Sequence, residues 1–226
     1  MSVDALRRGM PGASLVGPLG RRLRGTNEVD DWGLDPELVA LVDPVSALRW
    51  EIDVRGADRL PAVGGAVLVF NRRWGMSEAW VLARGIRQAS GRFVRTVGVP
   101  DGGPVGGVMG PALRRFGGVL DRTDEIAGLL RAGQLVGLPA GRGIRARDQV
   151  GDLDVDRIDA SIATGVPLVP VALVGRELGR RWQVIVGAPI PPPVGGGPLA
   201  AVELAEATRR AVQVLLDEAL PSSWWP

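Results

Sequence analysis

The run Ala66-Val-Leu-Val-Phe-Asn71 contains no polar residue before its last position. A strand covered on one face alternates polar and apolar residues, whereas an unbroken, β-branched apolar run suits a central strand covered on both faces. Two similar runs follow, one from Gln134 to Pro139 and one from Val166 to Gly175. Around Trp50 the pattern does alternate: Trp50, Ile52 and Val54 share one side while Glu51, Asp53 and Arg55 share the other, which predicts a half-buried strand. Segments from Arg92 to Val99, Val119 to Arg122 and Trp182 to Ile190 also read as strands. Helices are expected between them. Ser77 reads as the N-cap of a helix from Glu78 to about Arg87, and Thr123 as the cap of a helix whose first turn holds Asp124 and Glu125. A helix ahead of Gly165 and a long amphipathic one from Leu199 to Leu220 follow, the latter after the stiff Pro191–Pro193 spacer. The glycine-rich segment from Asp101 to Gly118 reads as a loop leading into a short helix. Strands alternating with helices predict an α/β fold, a single domain with a largely parallel central sheet flanked by helices. That domain is expected over residues 26–226, after a basic, mobile arm over residues 1–25 that holds five arginines and one acid.

Four residue types are missing, and their absence removes whole classes of chemistry. With no cysteine, disulfides, thiolate catalysis and cysteine-ligated metals are excluded. With no histidine, the commonest general base near neutral pH and the commonest metal ligand are gone. No lysine or tyrosine occurs either, so all 27 basic residues are arginines, permanently charged and unable to accept a proton. The aspartates between Asp148 and Asp159 lack the glycine and terminal glutamate of a calcium loop and read as a solvated acidic loop. No metal and no cofactor is expected.

The charges are unevenly spread. Residues 26–60 hold nine acids and three arginines, while residues 70–147 hold thirteen arginines and five acids. The basic middle favours anionic partners such as phosphates, coenzyme A or an anionic membrane surface. Nucleic acid is not expected, because no basic run is interleaved with aromatics. No apolar run approaches the ~18 residues of a membrane span, and Gly and Pro interrupt the first 25 residues, so no signal peptide is read there. A cytoplasmic protein is expected, peripheral at the inner membrane surface if it meets lipid.

In a parallel sheet, ligands sit at the carboxyl ends of the strands. Four turns there carry Arg72, Arg73, Arg122, Arg142 and Arg145, which makes these five the candidate anion-binding residues. Arg72 and Arg73 either pair with acids from elsewhere and hold their turn together, or grip an anion with bidentate geometry.

The order of elements between Leu48 and Ile190 resembles the phospholipid/glycerol acyltransferase family, of the lysophosphatidic acid acyltransferase type. Its fourth block, a G-[IV]-P-[IVL]-[IV]-P-V strand, is matched by Gly165-Val-Pro-Leu-Val-Pro-Val171, with Pro167 and Pro170 in place. The other blocks match in position and differ in chemistry. The family's first block, N-H-x-[ST]-x-x-D, supplies a histidine base oriented by an aspartate. Here Asn71 is kept, Arg72 stands for the histidine and Ser77 for the aspartate. The second block's phosphate-binding arginine corresponds to Arg122. The third, F-P-E-G-T-R, reads Leu138-Pro-Ala-Gly-Arg142 here, keeping Pro139 and Gly141 and placing Arg142 one position early. The resemblance thus implies an acyltransferase scaffold without its His/Asp dyad. Glu78, the nearest carboxylate, stands one residue out of register, and on a helix that turns a side chain by about 100°. It is expected to point away from the site and to serve the helix dipole.

Three functions follow as expectations. The first is a protein that binds an acyl or phospholipid-like ligand, acyl-CoA, an acyl carrier protein or a partner enzyme without the usual transfer chemistry. The second is a working acyltransferase that places its thioester in a groove, holds the oxyanion with arginine and backbone N–H groups, and leaves proton removal to substrate or water. The third is a scaffold or regulatory subunit docked on anionic membrane.

Overall fold

A computed structural model describes residues 29–72, 77–141, 148–195 and 197–220. The basic arm over residues 1–25 lies outside them. The elements run α1 (Pro36–Arg49), β1 (Glu51–Arg55), β2 (Ala66–Asn71), α2 (Ser77–Ser90), β3 (Val94–Val99), α3 (Gly103–Arg115), β4 (Gly118–Leu120), α4 (Thr123–Arg131), β5 (Leu135–Ala140), α5 (Asp159–Thr164), β6 (Leu168–Gly175), β7 (Arg181–Val186) and α6 (Pro198–Ala219). The seven strands form one sheet in the order β1-β7-β6-β2-β5-β3-β4. Every neighbouring pair is parallel except β6 and β7. This is the α/β architecture the strand–helix alternation predicts, with one hairpin turn instead of a crossover between β6 and β7.

The continuously apolar strands are the central ones. β2, β5 and β6 are buried at every position, and they lie side by side. The period of two sorts their side chains. Val67 and Val69 join a core with Leu129 and Leu130 of α4, Ile158 beside α5, and Val212 and Leu216 of α6. Leu68 and Phe70 turn to the other face and pack with Val81, Leu82 and Ile86 of α2 and with Val184 of β7. Val81, Leu82 and Ile86 are completely buried, and each contributes on the order of 1.5–3 kcal/mol by leaving water. α2 sits close to the sheet because Gly85 faces it. A Cβ there would lie 3.0 Å from Ile52, 3.2 Å from Val184 and 3.3 Å from Val54.

Three local expectations are corrected. The glycine-rich segment after Asp101 is a 13-residue helix, α3, started by Pro104 in its first turn and continued through Pro111. Thr123 is the first residue of α4, and the cap position belongs to Arg122, which makes no side-chain capping bond. Ser77 is likewise inside α2, whose hydroxyl looks outward to another turn. One helix was not anticipated from sequence. Asp35 caps α1 by accepting the Leu38 N–H at 2.8 Å, with Pro36 in the first turn. α1 covers the outer side of α2: Asp43 pairs with Arg84 at 3.0 Å and Arg87 at 2.5 Å, and Ser46 accepts the Trp80 indole N–H at 3.0 Å.

Candidate functional site

β2 delivers the chain to the carboxyl edge of the sheet, and Asn71 ends it fully buried. Its side chain works as a piece of backbone. Oδ1 accepts the Leu173 N–H at 2.7 Å and Nδ2 donates to the Leu173 carbonyl at 3.0 Å. The β2–β6 pairing runs as far as Phe70 opposite Val171, so the asparagine amide closes the seam where the main chains part. Leaving both Leu173 groups unpaired would cost their full desolvation. Asn71 is therefore a framing residue that fixes where the turn after β2 begins.

The next described residue, Arg72, is half-buried and lines a cavity of about 210 Å³ at this edge. Its walls come from the ends of β2, β3 and β5 and from α2 and α3, with Phe70, Trp80, Val99, Leu113 and Phe116 supplying the apolar surface. Trp80 and Phe116 meet edge to face, 5.2 Å between centroids. Glu78 also lines the cavity, only 3% exposed. The expectation that one residue of helical rotation turns it away is thus not met. α2 is buried on more than one side, against the sheet and against α1, so positions 77 and 78 are both interior and face different neighbours. Ser77 donates to the Glu177 carboxylate in the β6–β7 turn, while Glu78 faces the cavity. Among the described lining residues, Arg72 is the one cation and Glu78 the one carboxylate.

Arg122 lies at the same edge and outside that cavity. Its guanidinium grips Asp101 side-on, Nε to Oδ2 and Nη2 to Oδ1 both at 2.9 Å, and the pair is more than half exposed. The hydrogen bond to Asp101, followed by its charge, pushes the arginine pKa further up. An anion reaching Arg122 must displace that carboxylate. Pro139, at the end of β5, lines the cavity and accepts the Arg157 guanidinium at 2.6 Å through its carbonyl. Gly141 follows in the left-handed region (φ 78°), and a Cβ there would stand 3.1 Å from the Gly151 Cα, so the two glycines let the segment after residue 148 pass close behind β5. On β6, Pro170 pairs with Val69 and accepts the Gly187 N–H at 2.8 Å, and the Pro167 carbonyl accepts from Val67 at 3.0 Å. These prolines shape the sheet and stand away from the cavity lining. Arg73, Arg142 and Arg145 lie outside the described residues, and among the described residues no group of three or more acids is placed to hold a metal ion.

The crystal structure of a 1-acyl-sn-glycerophosphate (LPA) acyltransferase, PlsC, from Thermotoga maritima superimposes with a TM-score of 0.58, covering 82% of each chain at 18% identity. The fold is glycerolipid acyltransferase-like. At that identity the likeness concerns the fold alone. An uncharacterized protein of Mycobacterium leprae is 28% identical over 180 residues, 73% of this chain and 49% of its own length, so the chain matches about half of that relative. No family model matches.

What the site can do follows from its residues. Arg72 can donate to a carbonyl, carboxylate or phosphate and cannot accept a proton. Glu78 can accept a hydrogen bond, and Ser77 is committed to Glu177.

Proposed function

We propose that this chain is a ligand-binding protein on an acyltransferase scaffold. It holds an acyl or phospholipid-like ligand in the cavity between Arg72 and Glu78 and does not run histidine-based acyl transfer. The observation that carries this reading is the cavity itself: an apolar chamber at the carboxyl edge of an acyltransferase-like sheet, lined by Arg72. The block-by-block resemblance of the sequence supports reading Arg72 at the position of the family's proton acceptor. A guanidinium, protonated throughout the ordinary pH range, orients a bound carbonyl and leaves an acceptor hydroxyl protonated. The likeness to an acyltransferase supports an acyl ligand. No described helix is long and apolar enough to cross a membrane, so contact with lipid in this reading is peripheral.

Glu78 favours a second reading, transfer without histidine. Oriented reactants and a fixed guanidinium beside the carbonyl already lower a barrier, and a buried carboxylate could take the proton. One experiment separates the two. The protein is incubated with octanoyl-CoA and with glycerol 3-phosphate, lysophosphatidate or monoacylglycerol as acceptor, products are sought by mass spectrometry, and thermal midpoints are recorded. The binding reading expects a raised midpoint, lost in Arg72→Ala, and no acylated product. Product that disappears in Arg72→Ala would overturn it in favour of transfer.

A further inference from the structure

The floor of the cavity is a place where the sheet comes apart. β3 pairs with β5 as far as Thr96 opposite Gly137, and there the pairing stops although β5 runs on to Ala140. The sequence supplies the reason. The Thr96 N–H bonds Gly117 on the β4 side at 3.0 Å, so the next residue, Val97, turns its N–H and carbonyl toward β5. In a parallel ladder that carbonyl would accept from the N–H of residue 139. Residue 139 is proline and has none. The register of β3 against β4 also slips between Val97 and Val99, a bulge with Gly98 as its extra residue. Gly98 stands at φ 150°, and a Cβ built there would meet nothing within 4 Å. Val97 lines the cavity although its side chain belongs to the core of Val119 and Ile126, so what it shows to the cavity is main chain. Thr96 lines the cavity beside it, half-buried, and among the described residues nothing bonds its hydroxyl.

We infer that the Val97 carbonyl and the Thr96 hydroxyl form a polar subsite in the cavity floor that binds a hydroxyl carried on the ligand's acyl chain. The inference rests on the ligand-binding reading above and names the ligand class as a hydroxylated acyl chain. A main-chain carbonyl only accepts, whereas a threonine hydroxyl also donates. The pair is therefore matched by one group that donates to the first and accepts from the second, and a hydroxyl does both. Neither partner is charged. β5 separates β2 from β3, so the subsite lies two strand spacings, about 10 Å, across the sheet from the strand that leads into Arg72. A hydroxyl seated there belongs to the chain, several carbons away from a carbonyl held by Arg72. Phe70, Trp80, Leu113 and Phe116 supply the apolar lining for the hydrocarbon. A plain hydrocarbon chain in the same space would cover the Val97 carbonyl and the Thr96 hydroxyl and leave both without a partner, which buried polar groups avoid. Sites built to bond a hydroxyl reject the analogue that lacks it for this reason.

The test is calorimetric titration of the whole protein with hexanoic, octanoic and decanoic acids and with the same three acids carrying a terminal hydroxyl. Each is used below its aggregation concentration at neutral pH. The head is the same within each pair, so the affinity ratio reads the hydroxyl alone. At least one hydroxy acid is expected to bind about tenfold tighter than its parent, or more. Thr96→Val keeps the shape of the side chain and removes its hydroxyl, and it is expected to erase that preference. Pro139→Ala returns an N–H opposite the Val97 carbonyl and is expected to erase it as well. No preference in any pair would overturn the inference and leave the ligand-binding reading standing. No binding by any of the acids would overturn both. A Thr96→Val protein that folds, judged by its cooperative melting, and keeps the preference would also overturn the inference. Should that variant not fold, Pro139→Ala decides by the same criterion.

Discussion

Ser77 and Glu78 stand side by side at the start of α2, the one donating to Glu177 and the other lining the cavity. Their identities are read directly from the chain. Their directions are not, because a helix buried on two sides offers no exposed phase against which to count. Asn71 is the opposite case: the position reads as a strand end, and the structure adds that its amide spans two strands. Replacing Asn71 by Ala is expected to strand the Leu173 N–H and carbonyl and to destabilise the protein by about 2–5 kcal/mol, read from urea denaturation. A loss below about 1 kcal/mol would mean that water or a neighbour repairs the seam.

At the scale of elements, the apolar runs place β2, β5 and β6 without help, and the half-buried alternation places β1. α1 escapes because Pro44 lies within it and its polar residues face both solvent and α2, which leaves no clean apolar stripe. α3 escapes because glycine and proline mark a loop locally, and only packing over β3 and β4 turns the segment helical. The tight seat of α2 gives a prediction of sign. Gly85→Ala should gain up to ~1 kcal/mol of helix propensity, but it presses a methyl against three γ-methyl groups at once, and overpacking costs about 1–3 kcal/mol. The loss wins, and a midpoint lowered by about 2–4 °C per kcal/mol is expected. On α6, Arg209 holds Glu206 with two bonds of 2.8 Å and Arg210 adds one of 3.1 Å, which pulls the carboxyl pKa down to about 2. A depressed acid stabilises the fold fully above its unfolded value of 4.5 and loses that contribution as pH falls toward 2. NMR titration of Glu206 should find that low midpoint, and Glu206→Gln should flatten the stability slope in this window.

For the whole molecule, the absence of histidine, lysine, cysteine and tyrosine sets a plain expectation. Free carboxylates lose their protons well below neutrality and guanidinium groups keep theirs well above it, and no histidine or cysteine bridges the gap. The thermal midpoint should therefore be level across that range, while salt still modulates any attraction to anionic surfaces. The sheet order, with its single antiparallel pair, was not legible in the sequence beyond its parallel character, because strand order is decided by which helices cover which face.

A His/Asp pair introduced at positions 72 and 77 would run into the bond from Ser77 to Glu177. The two obvious changes, Arg72→His and Ser77→Asp, would set a new carboxylate against the one already in the β6–β7 turn, and one of the pair would have to stay protonated. The double variant is expected to melt lower than the same protein carrying Glu177→Gln as well, and thermal unfolding of the two would show it. Installing such a pair is therefore a three-step path whose first steps lead downhill in stability. Such a contact acts as a ratchet: where a neighbour relies on a serine, the position that looks easiest to change is the one the fold holds shut.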